Sequence, residues 1–258
     1  MVAGSVPVGF RFDSGRLEGT PRAEGDVALT VEVRDRGLRT ARSEIRFRVT
    51  PPPLPELQLA PLSHLVPTQQ TKLDLRLNRP YPTDLDLTVQ LAFDGPDDPS
   101  ILLSTGSRRA LLTIPAGQLV PTQPLQLQTG TTAGVVTVAA QLGSQSAMQS
   151  AALDPLPPQV RWVQSQQTAD GFEVAILSFS PTRELDTAVF AFDDALQIKV
   201  PIRDLVQAWY DDERSTPFGT LITYRQNFTV RGDTSRLRGV SVTLTNRIGA
   251  SIPASVAF

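Results

Sequence analysis

The chain has 258 residues, a formal net charge of −2 at pH 7, one histidine (His64) and no cysteine. Without cysteine, disulfides, thiolate zinc sites and cysteine nucleophiles are excluded, and a single histidine leaves no multi-histidine metal site. A weakly acidic chain lacks the basic face typical of nucleic-acid binding, and no apolar run reaches the roughly 18–20 residues of a membrane helix. These features predict a protein that is not an enzyme, carries no cofactor, binds no nucleic acid and has no membrane-spanning segment.

Strands are predicted wherever apolar residues alternate with polar ones, because successive side chains of a strand point to opposite faces. The pattern occurs at residues 27–34, 44–49, 72–77, 84–91 and 240–245, and further strands are predicted at 43–50, 135–142, 147–153, 240–246 and 251–258 as members of a repeated hairpin with a glycine turn. Each such strand has one apolar face, as a two-layer sandwich with a single core requires. The sequence therefore predicts an all-β fold of tandem immunoglobulin-like β-sandwiches.

Two proline clusters divide the chain, one at residues 51–55 and one at 155–158. Consecutive prolines favour an extended, stiff polyproline II segment, so both clusters are interpreted as linkers. Predicted hairpins begin at residues 27, 135 and 240, a spacing of about 105 residues that fits one sandwich per repeat. The predicted domains are a truncated module at 1–50 and two sandwiches at 56–154 and 159–258, arranged as a rod.

One short helix is predicted over Ile202–Tyr210. Ile202, Leu205, Val206 and Trp209 follow the i, i+3, i+4, i+7 spacing of a helix face, and Pro201 precedes them. Proline is favoured near the first helical turn because its missing N–H has no intrahelical partner there. We expect this helix to connect two strands.

The first segment carries an ordered set of turn and core residues. It consists of Pro7-Val8-Gly9-Phe10, Phe12-Asp13-Ser14-Gly15-Arg16-Leu17-Glu18-Gly19-Thr20-Pro21 and Gly25-Asp26-Val27, followed by alternating apolar residues up to Asp35. This pattern resembles the dystroglycan-type, cadherin-like immunoglobulin repeat of bacterial surface and secreted proteins, over residues 6–50. Phe10 replaces the usual leucine and Val27 the usual aromatic residue. The resemblance implies an extracytoplasmic scaffold or adhesion role without catalytic residues; the remaining chain is similar to generic bacterial immunoglobulin-like modules.

Repeats of that family have further strands before the position of Pro7, so the first module is predicted to lack part of its sandwich. Its inward-facing apolar side chains would then be partly exposed to solvent, namely Val27, Leu29, Val31, Ile45 and Phe47. Exposed apolar area and an open strand edge both favour association. We expect a partner or neighbouring subunit to complete the module. The competing interpretation is that the natural chain begins further upstream.

Asp94, Asp97 and Asp98 are the candidate metal ligands. Calcium takes about six to eight hard oxygen ligands, often carboxylates gathered in a loop or at a domain junction. The Asp94-Gly95-Pro96-Asp97-Asp98 stretch offers three carboxylates in one predicted loop. The competing interpretation is structural, since aspartates in turns commonly accept hydrogen bonds from their own backbone.

Trp209 and Tyr210 are the candidate aromatic contact residues, because the other aromatic side chains of the last segment mostly occupy alternating strand positions. The leading prediction is a structural, adhesion or assembly subunit, periplasmic, surface-attached or secreted, that acts through protein–protein contacts. One alternative is a glycan- or polymer-binding accessory module of a larger secreted protein, for which exposed aromatic rings would be needed. Another is an extracytoplasmic accessory subunit of a membrane complex.

Overall fold

The computed structural model describes residues 2–3, 6, 8–21, 23–63, 65–192, 196–231 and 237–258. The predicted all-β fold is confirmed: antiparallel sheets dominate the chain, and the described residues include one short α-helix and one 3-10 helix. The chain divides into two compact units, Met1–Leu54 and Pro55–Phe258. The division falls at the first proline cluster.

The first unit contains a three-stranded sheet and a separate hairpin. Its strands are β1 (Val2–Ala3), β2 (Phe10–Asp13), β3 (Arg16–Gly19), β4 (Gly25–Arg34) and β5 (Thr40–Val49). The sheet has the order β1-β4-β5, and β2 pairs with β3. The predicted alternation holds in β4 and β5, whose odd-numbered residues share one face. Phe47 on that face contacts Phe10 of the hairpin edge-to-face, with 5.8 Å between ring centroids.

We number the two sandwiches of the Pro55–Phe258 unit second and third, after the predicted order of modules. The second sandwich occupies the first half of this unit. Its strands are β6 (Leu57–Leu59), β7 (Gln70–Leu73), β8 (Leu75–Leu77), β9 (Leu85–Asp94), β10 (Ile101–Leu103), β11 (Arg109–Ile114), β12 (Leu125–Thr129), β13 (Gly134–Leu142) and β14 (Gln145–Leu153). They form a four-stranded sheet of order β11-β9-β13-β14, a three-stranded sheet β10-β12-β7 and the pair β6-β8. Alternate leucines, isoleucines and valines fill the space between the layers.

The predicted strand at 72–77 is in fact two strands that belong to different sheets. β7 pairs with β12, whereas β8 pairs with β6. The change of sheet takes place at Asp74, whose carbonyl oxygen accepts a hydrogen bond from the N–H of Ala60 at 3.0 Å. Leu73 and Leu75 remain buried on either side of the change, so the alternating pattern in the sequence is unbroken.

The third sandwich contains a three-stranded sheet β15-β16-β19 and a four-stranded sheet β18-β17-β20-β21. Its strands are β15 (Gln159–Thr168), β16 (Gly171–Phe179), β17 (Thr187–Phe192), β18 (Leu196–Pro201), β19 (Leu221–Thr229), β20 (Gly239–Thr245) and β21 (Ala254–Ala257). Phe190, Ile176 and Val242 are fully buried in its core. The last strand is shorter than the predicted 251–258, because Ser251 turns back to bond β20 through its N–H and hydroxyl.

The predicted helix is confirmed as α1 (Arg203–Asp211), which connects β18 to the 3-10 helix Glu213–Phe218. Val206 and Tyr210 face the core of the third sandwich, as the helical spacing requires. No helix among the residues that the structure describes is long and apolar enough to cross a membrane.

Candidate functional site

Asp98 is a buried aspartate whose side chain accepts five hydrogen bonds. It lies in the loop between β9 and β10, and its side chain is fully buried. The loop is closed by the N–H of Ser100, which donates to Asp98 Oδ1 at 2.9 Å, and by the N–H of Ile101, which donates to the Asp98 carbonyl at 3.1 Å. The Arg108 guanidinium also donates to that carbonyl, at 2.8 Å. The loop therefore presents the carboxylate to the interior.

The other carboxylate oxygen of Asp98 is held by the turn that follows β12. Oδ2 accepts from the Thr131 N–H at 2.6 Å and from the Thr131 hydroxyl at 2.8 Å. It also accepts from the Thr132 N–H at 3.0 Å and from the Thr132 hydroxyl at 3.1 Å. With the Ser100 bond, five donors surround one buried charge, which is the arrangement that makes burial of a carboxylate tolerable.

The same turn contacts the third sandwich. Thr131 Oγ1, which donates to Asp98, accepts from the N–H of Thr220 at 3.0 Å, and the Thr220 hydroxyl donates to the Thr131 carbonyl at 3.2 Å. The N–H of Ala133 donates to the carbonyl of Pro181 at 2.9 Å. The two bonds between Thr131 and Thr220 link residues 89 positions apart in the chain. We call the cluster of Asp98, Thr131, Thr132 and Thr220 the threonine junction.

Gly219 brings the third sandwich against the threonine junction. Its φ is +60°, and a Cβ placed on it would lie 2.6 Å from Thr131 Oγ1 and 2.8 Å from Asp98 Oδ1. Any larger side chain would occupy the space in which the hydrogen bonds form. Glycine is therefore required here both by its backbone conformation and by this close approach.

The pKa of Asp98 reflects a balance of burial and hydrogen bonding. Burial raises the pKa of the carboxyl group, whereas the hydrogen bonds from Thr131, Ser100 and Thr132 lower it and prevail. The pKa therefore lies below its ordinary value, so the carboxyl group is ionised at neutral pH.

The predicted calcium site is not supported by the positions of its residues. Among the described residues no group of three or more histidine, aspartate or glutamate side chains lies close enough to hold a metal ion. Asp98 points inward and accepts five hydrogen bonds, while the exposed Asp97 pairs with Arg108 at 2.9 Å. Asp94 ends strand β9 and is exposed. The competing structural interpretation fits Asp98, because its partners are backbone and threonine donors.

Tyr210 is a core residue and not the surface residue that the sequence predicted. Its hydroxyl donates to the Thr220 carbonyl at 2.6 Å, next to the threonine junction. The Arg183 guanidinium lies over its ring, 4.9 Å from the centroid, and donates to the Tyr210 carbonyl at 2.6 Å. Burial raises the pKa of the Tyr210 hydroxyl well above its ordinary value, although the charge of Arg183 opposes the rise.

Trp209 remains a candidate contact residue. It is half-buried, its indole N–H donates to the Leu221 carbonyl at 3.4 Å, and its ring lies 6.1 Å from that of Phe218. Phe218 and Leu205 are 52% and 56% exposed. The rings of Trp209 and Phe218 are inclined at 37°, so they do not form a flat stacking platform.

A second buried polar residue, Asn246, holds the predicted linker at 155–158 against the third sandwich. Its amide nitrogen lies 2.9 Å from the Leu156 carbonyl and 3.0 Å from the Ser180 hydroxyl, and donates to both. Its side-chain oxygen accepts from the N–H groups of Ile248 and Gly249 at 2.9 and 3.1 Å. The linker is thus fixed by side-chain bonds as well as by its prolines.

Asn246→Ala is expected to lower the free energy of unfolding by about 1–3 kcal/mol, because it removes five side-chain hydrogen bonds, one of them to the buried Ser180 hydroxyl and three to partly buried backbone groups. Chemical denaturation of the full chain followed by tryptophan fluorescence measures this change. Asn227→Ala, on the other sheet, is the matched control and is expected to change stability by less than about 0.5 kcal/mol. Equal effects of the two substitutions would contradict the role given to Asn246.

The five residues predicted as an incomplete core lie together on the odd-numbered face of β4 and β5. Leu29 is fully buried, Val27, Val31 and Phe47 are half-buried, and Ile45 is 39% exposed. Leu29 is the one fully buried large apolar side chain among the described residues of this unit. The predicted partial exposure of this face is therefore present in the structure, whereas the partner that would cover it stays a prediction.

Apart from its aspartate, the threonine junction is not apparent from the sequence. Thr129-Gly130-Thr131-Thr132 reads as an ordinary turn, and Thr220 lies in a different predicted module. A buried aspartate cannot be told from a surface one by its neighbours in the sequence. His64, the only histidine, lies outside the described residues.

Comparisons with known proteins identify no family. No family model and no curated protein matches the chain. Among solved structures, an endo-fucoidan hydrolase of glycoside hydrolase family 107 aligns with a TM-score of 0.30 and 9% identity over 100% of this chain, which spans 38% of that chain. The FN1-FN3 domains of chicken CNTN1 align with a TM-score of 0.24 and 11% identity, over 90% of this chain and 74% of that one. At such scores neither likeness carries an argument about function, and the resemblance seen in residues 6–50 has no family match behind it.

Proposed function

We propose that the chain is a non-catalytic structural or assembly subunit that acts outside the cytoplasm through protein–protein contacts. The observation that carries this proposal is the use of its buried polar side chains. Asp98 and Asn246 each have their hydrogen-bonding atoms occupied by neighbouring backbone and side-chain groups. An enzyme instead directs its perturbed acids and bases into an accessible cleft. Here these groups hold sandwiches and linkers in fixed positions.

The contact surface of this proposal is the first unit. Ile45 and Val33, on the same face of neighbouring strands, are 39% and 64% exposed. Exposed apolar side chains on one sheet face are typical of interfaces, where burial contributes about 25 cal/mol per Å². The resemblance of residues 6–50 to bacterial surface repeats supports the extracytoplasmic location. A second unit stiffened by the threonine junction would serve as a rigid spacer.

Glycan binding is the second candidate function. It rests on Trp209 and Phe218, whose ring centroids lie 6.1 Å apart and whose rings are inclined at 37°, so that each would meet a sugar separately; Phe218 is 52% exposed. Aromatic rings of this kind bind sugar faces when they are accessible. Affinity electrophoresis of the chain and its Phe218→Ala variant in polysaccharide gels tests this role, and loss of retardation in the variant would favour it over the leading proposal.

The leading proposal is tested by cross-linking the full chain, carrying a small C-terminal tag, in its native cells. We expect cross-links from the first unit to one defined partner, identified by mass spectrometry, and no turnover of ester or glycan substrates by the purified chain. Ile45→Asp is expected to abolish the cross-links. Leu111→Asp, at an apolar position in the other unit that is still more exposed (73% against 39%), is expected to leave them unchanged. Substrate turnover, or cross-links indifferent to Ile45, would overturn the proposal.

A further inference from the structure

Strand β5 lies at the edge of its sheet. β4 pairs with it along one side over all ten residues from Thr40 to Val49. On its other side no strand of the described residues pairs with it. The strand contains neither proline nor glycine, and its register with β4 shows no bulge. A long, regular edge without these interruptions is a template for another strand.

The hairpin geometry decides which backbone groups of β5 face the free edge. The Asp35 N–H donates to the Arg39 carbonyl at 3.0 Å, so this pair is hydrogen-bonded across the turn. Bonded and non-bonded pairs alternate in an antiparallel ladder, so the odd-numbered residues of β5 bond to β4. The N–H and C=O groups of the even-numbered residues therefore point outward. They belong to Thr40, Arg42, Glu44, Arg46 and Arg48.

The side chains of β5 define the chemistry of a strand that fits this edge. Its odd-numbered side chains include Ile45, Phe47 and Val49, which belong to the partly exposed apolar face that β5 shares with β4. Its even-numbered side chains include three arginines and one glutamate, an excess of two positive charges. The three arginine side chains are 73–75% exposed, although each has an acidic neighbour within this unit, namely Glu32 for Arg42, Glu44 for Arg46 and Asp26 for Arg48. A neighbouring strand with apolar residues on one face and acidic residues on the other matches both sets.

We propose that the free edge of β5 binds an extended segment of a partner protein, with alternating apolar and acidic residues, as an added strand. This inference rests on the proposed function and names the partner chemistry of its contact surface. Main-chain hydrogen bonds provide the affinity of such an addition, and the side chains provide its specificity. The apolar residues of the segment cover the face of Ile45 and Phe47, and its acidic residues lie opposite the arginines.

A second copy of the chain is a poorer occupant of the same edge. When two β5 strands pair antiparallel with Ile45 opposite its copy, Arg42 lies opposite Arg48 at both ends, and Glu44 lies opposite Arg46 twice between them. Like charges directly opposite each other destabilise a strand pair. The two repulsive and two attractive pairs of a self-pair cancel, whereas an acidic strand gains at three arginines and loses at one glutamate, so the charge pattern favours the acidic strand.

The test uses the full chain and a fluorescent ten-residue peptide that alternates valine and glutamate. Fluorescence anisotropy is expected to show that it binds at least about tenfold more tightly than the same peptide with lysine in place of glutamate, because four cross-strand charge pairs change sign. Arg46→Pro removes an outward N–H without breaking the ladder to β4, and is expected to weaken binding at least about tenfold. Arg46→Ala removes the same charge, retains the N–H and should keep most of the affinity.

Equal binding of the two peptides, no binding of either, or equal affinity in the two Arg46 variants would each overturn the inference. A dimer that Arg46→Pro dissociates in sedimentation experiments would assign the edge to a second copy and overturn it as well. Matching melting temperatures of the two variants exclude unfolding as the cause of lost binding. The proposed function is judged separately by the cross-linking experiment: a partner captured equally by wild type and Arg46→Pro would support that function while refuting the edge site.

Discussion

Asp98→Ala is expected to lower the free energy of unfolding of the Pro55–Phe258 unit by about 3–5 kcal/mol, a large part of the stability of a domain. The substitution leaves the N–H groups of Ser100, Thr131 and Thr132 and two threonine hydroxyls buried without their acceptor. Chemical denaturation of the full chain measures the change. We also expect the second and third sandwiches to unfold in separate transitions in the variant, because Thr131 is then no longer held in place to bond Thr220.

Asp97→Ala is the matched control for this prediction. Asp97 is adjacent in the sequence, but its side chain is 62% exposed and pairs with Arg108 at 2.9 Å. An exposed ion pair contributes at most about 1 kcal/mol, so the control should unfold nearly as the wild type does. If Asp97→Ala destabilises the chain as much as Asp98→Ala, the threonine junction does not have the importance assigned to it.

The acid sensitivity of the unit follows from the same carboxyl group. Because its folded pKa lies below its unfolded value, Asp98 stabilises the fold fully above the unfolded pKa of about 3.9. That stabilisation is lost as the pH falls through the folded pKa. Asp98→Asn removes this contribution, so the difference in unfolding free energy between wild type and variant should shrink as the pH is lowered from 6 to about 2. A difference that stays constant over this range would contradict the assignment.

Gly219→Ala is expected to destabilise the same unit by about 2–4 kcal/mol, although it adds a single methyl group. The new Cβ would lie 2.6 Å from Thr131 Oγ1 and 2.8 Å from Asp98 Oδ1, and φ at this position is +60°. Part of the loss comes from the backbone conformation and part from displacement of the buried hydrogen bonds. Thermal and chemical denaturation measure the sum.

Gly106→Ala separates the two contributions. Gly106 also has a positive φ, +78°, but a Cβ there would meet no atom within 4 Å. Its substitution therefore reports the cost of a positive φ without a steric clash, about 1–2 kcal/mol. The ψ of Gly219, −111°, lies outside the left-handed helical region, so the backbone cost there is at least as large. A Gly219→Ala variant no less stable than Gly106→Ala would show that the junction tolerates the added methyl group.

The local elements of this protein were determined by its sequence. The alternation of Val27, Leu29 and Val31 with polar residues places β4 and its buried face, and the spacing of Val206 and Tyr210 places helix α1 with its core-facing side. Such patterns are readable because the side-chain period of a strand or helix is a property of the backbone alone. Charge and cysteine counts likewise follow from composition. These features needed no knowledge of what lies across the fold.

The tertiary structure alone decided what the polar residues do. Asp98 and Asp97 are neighbours of the same type, yet one is a buried hydrogen-bond acceptor and the other is exposed. Their difference depends on Thr131, which lies 33 positions beyond Asp98 in the chain and donates to it. It also depends on Gly219, whose lack of a side chain leaves space for Thr131 and Asp98. The change of sheet at Asp74 is equally invisible in an unbroken alternation. Long-range packing sets these outcomes, because a buried charge is stable only where distant parts of the chain supply its donors.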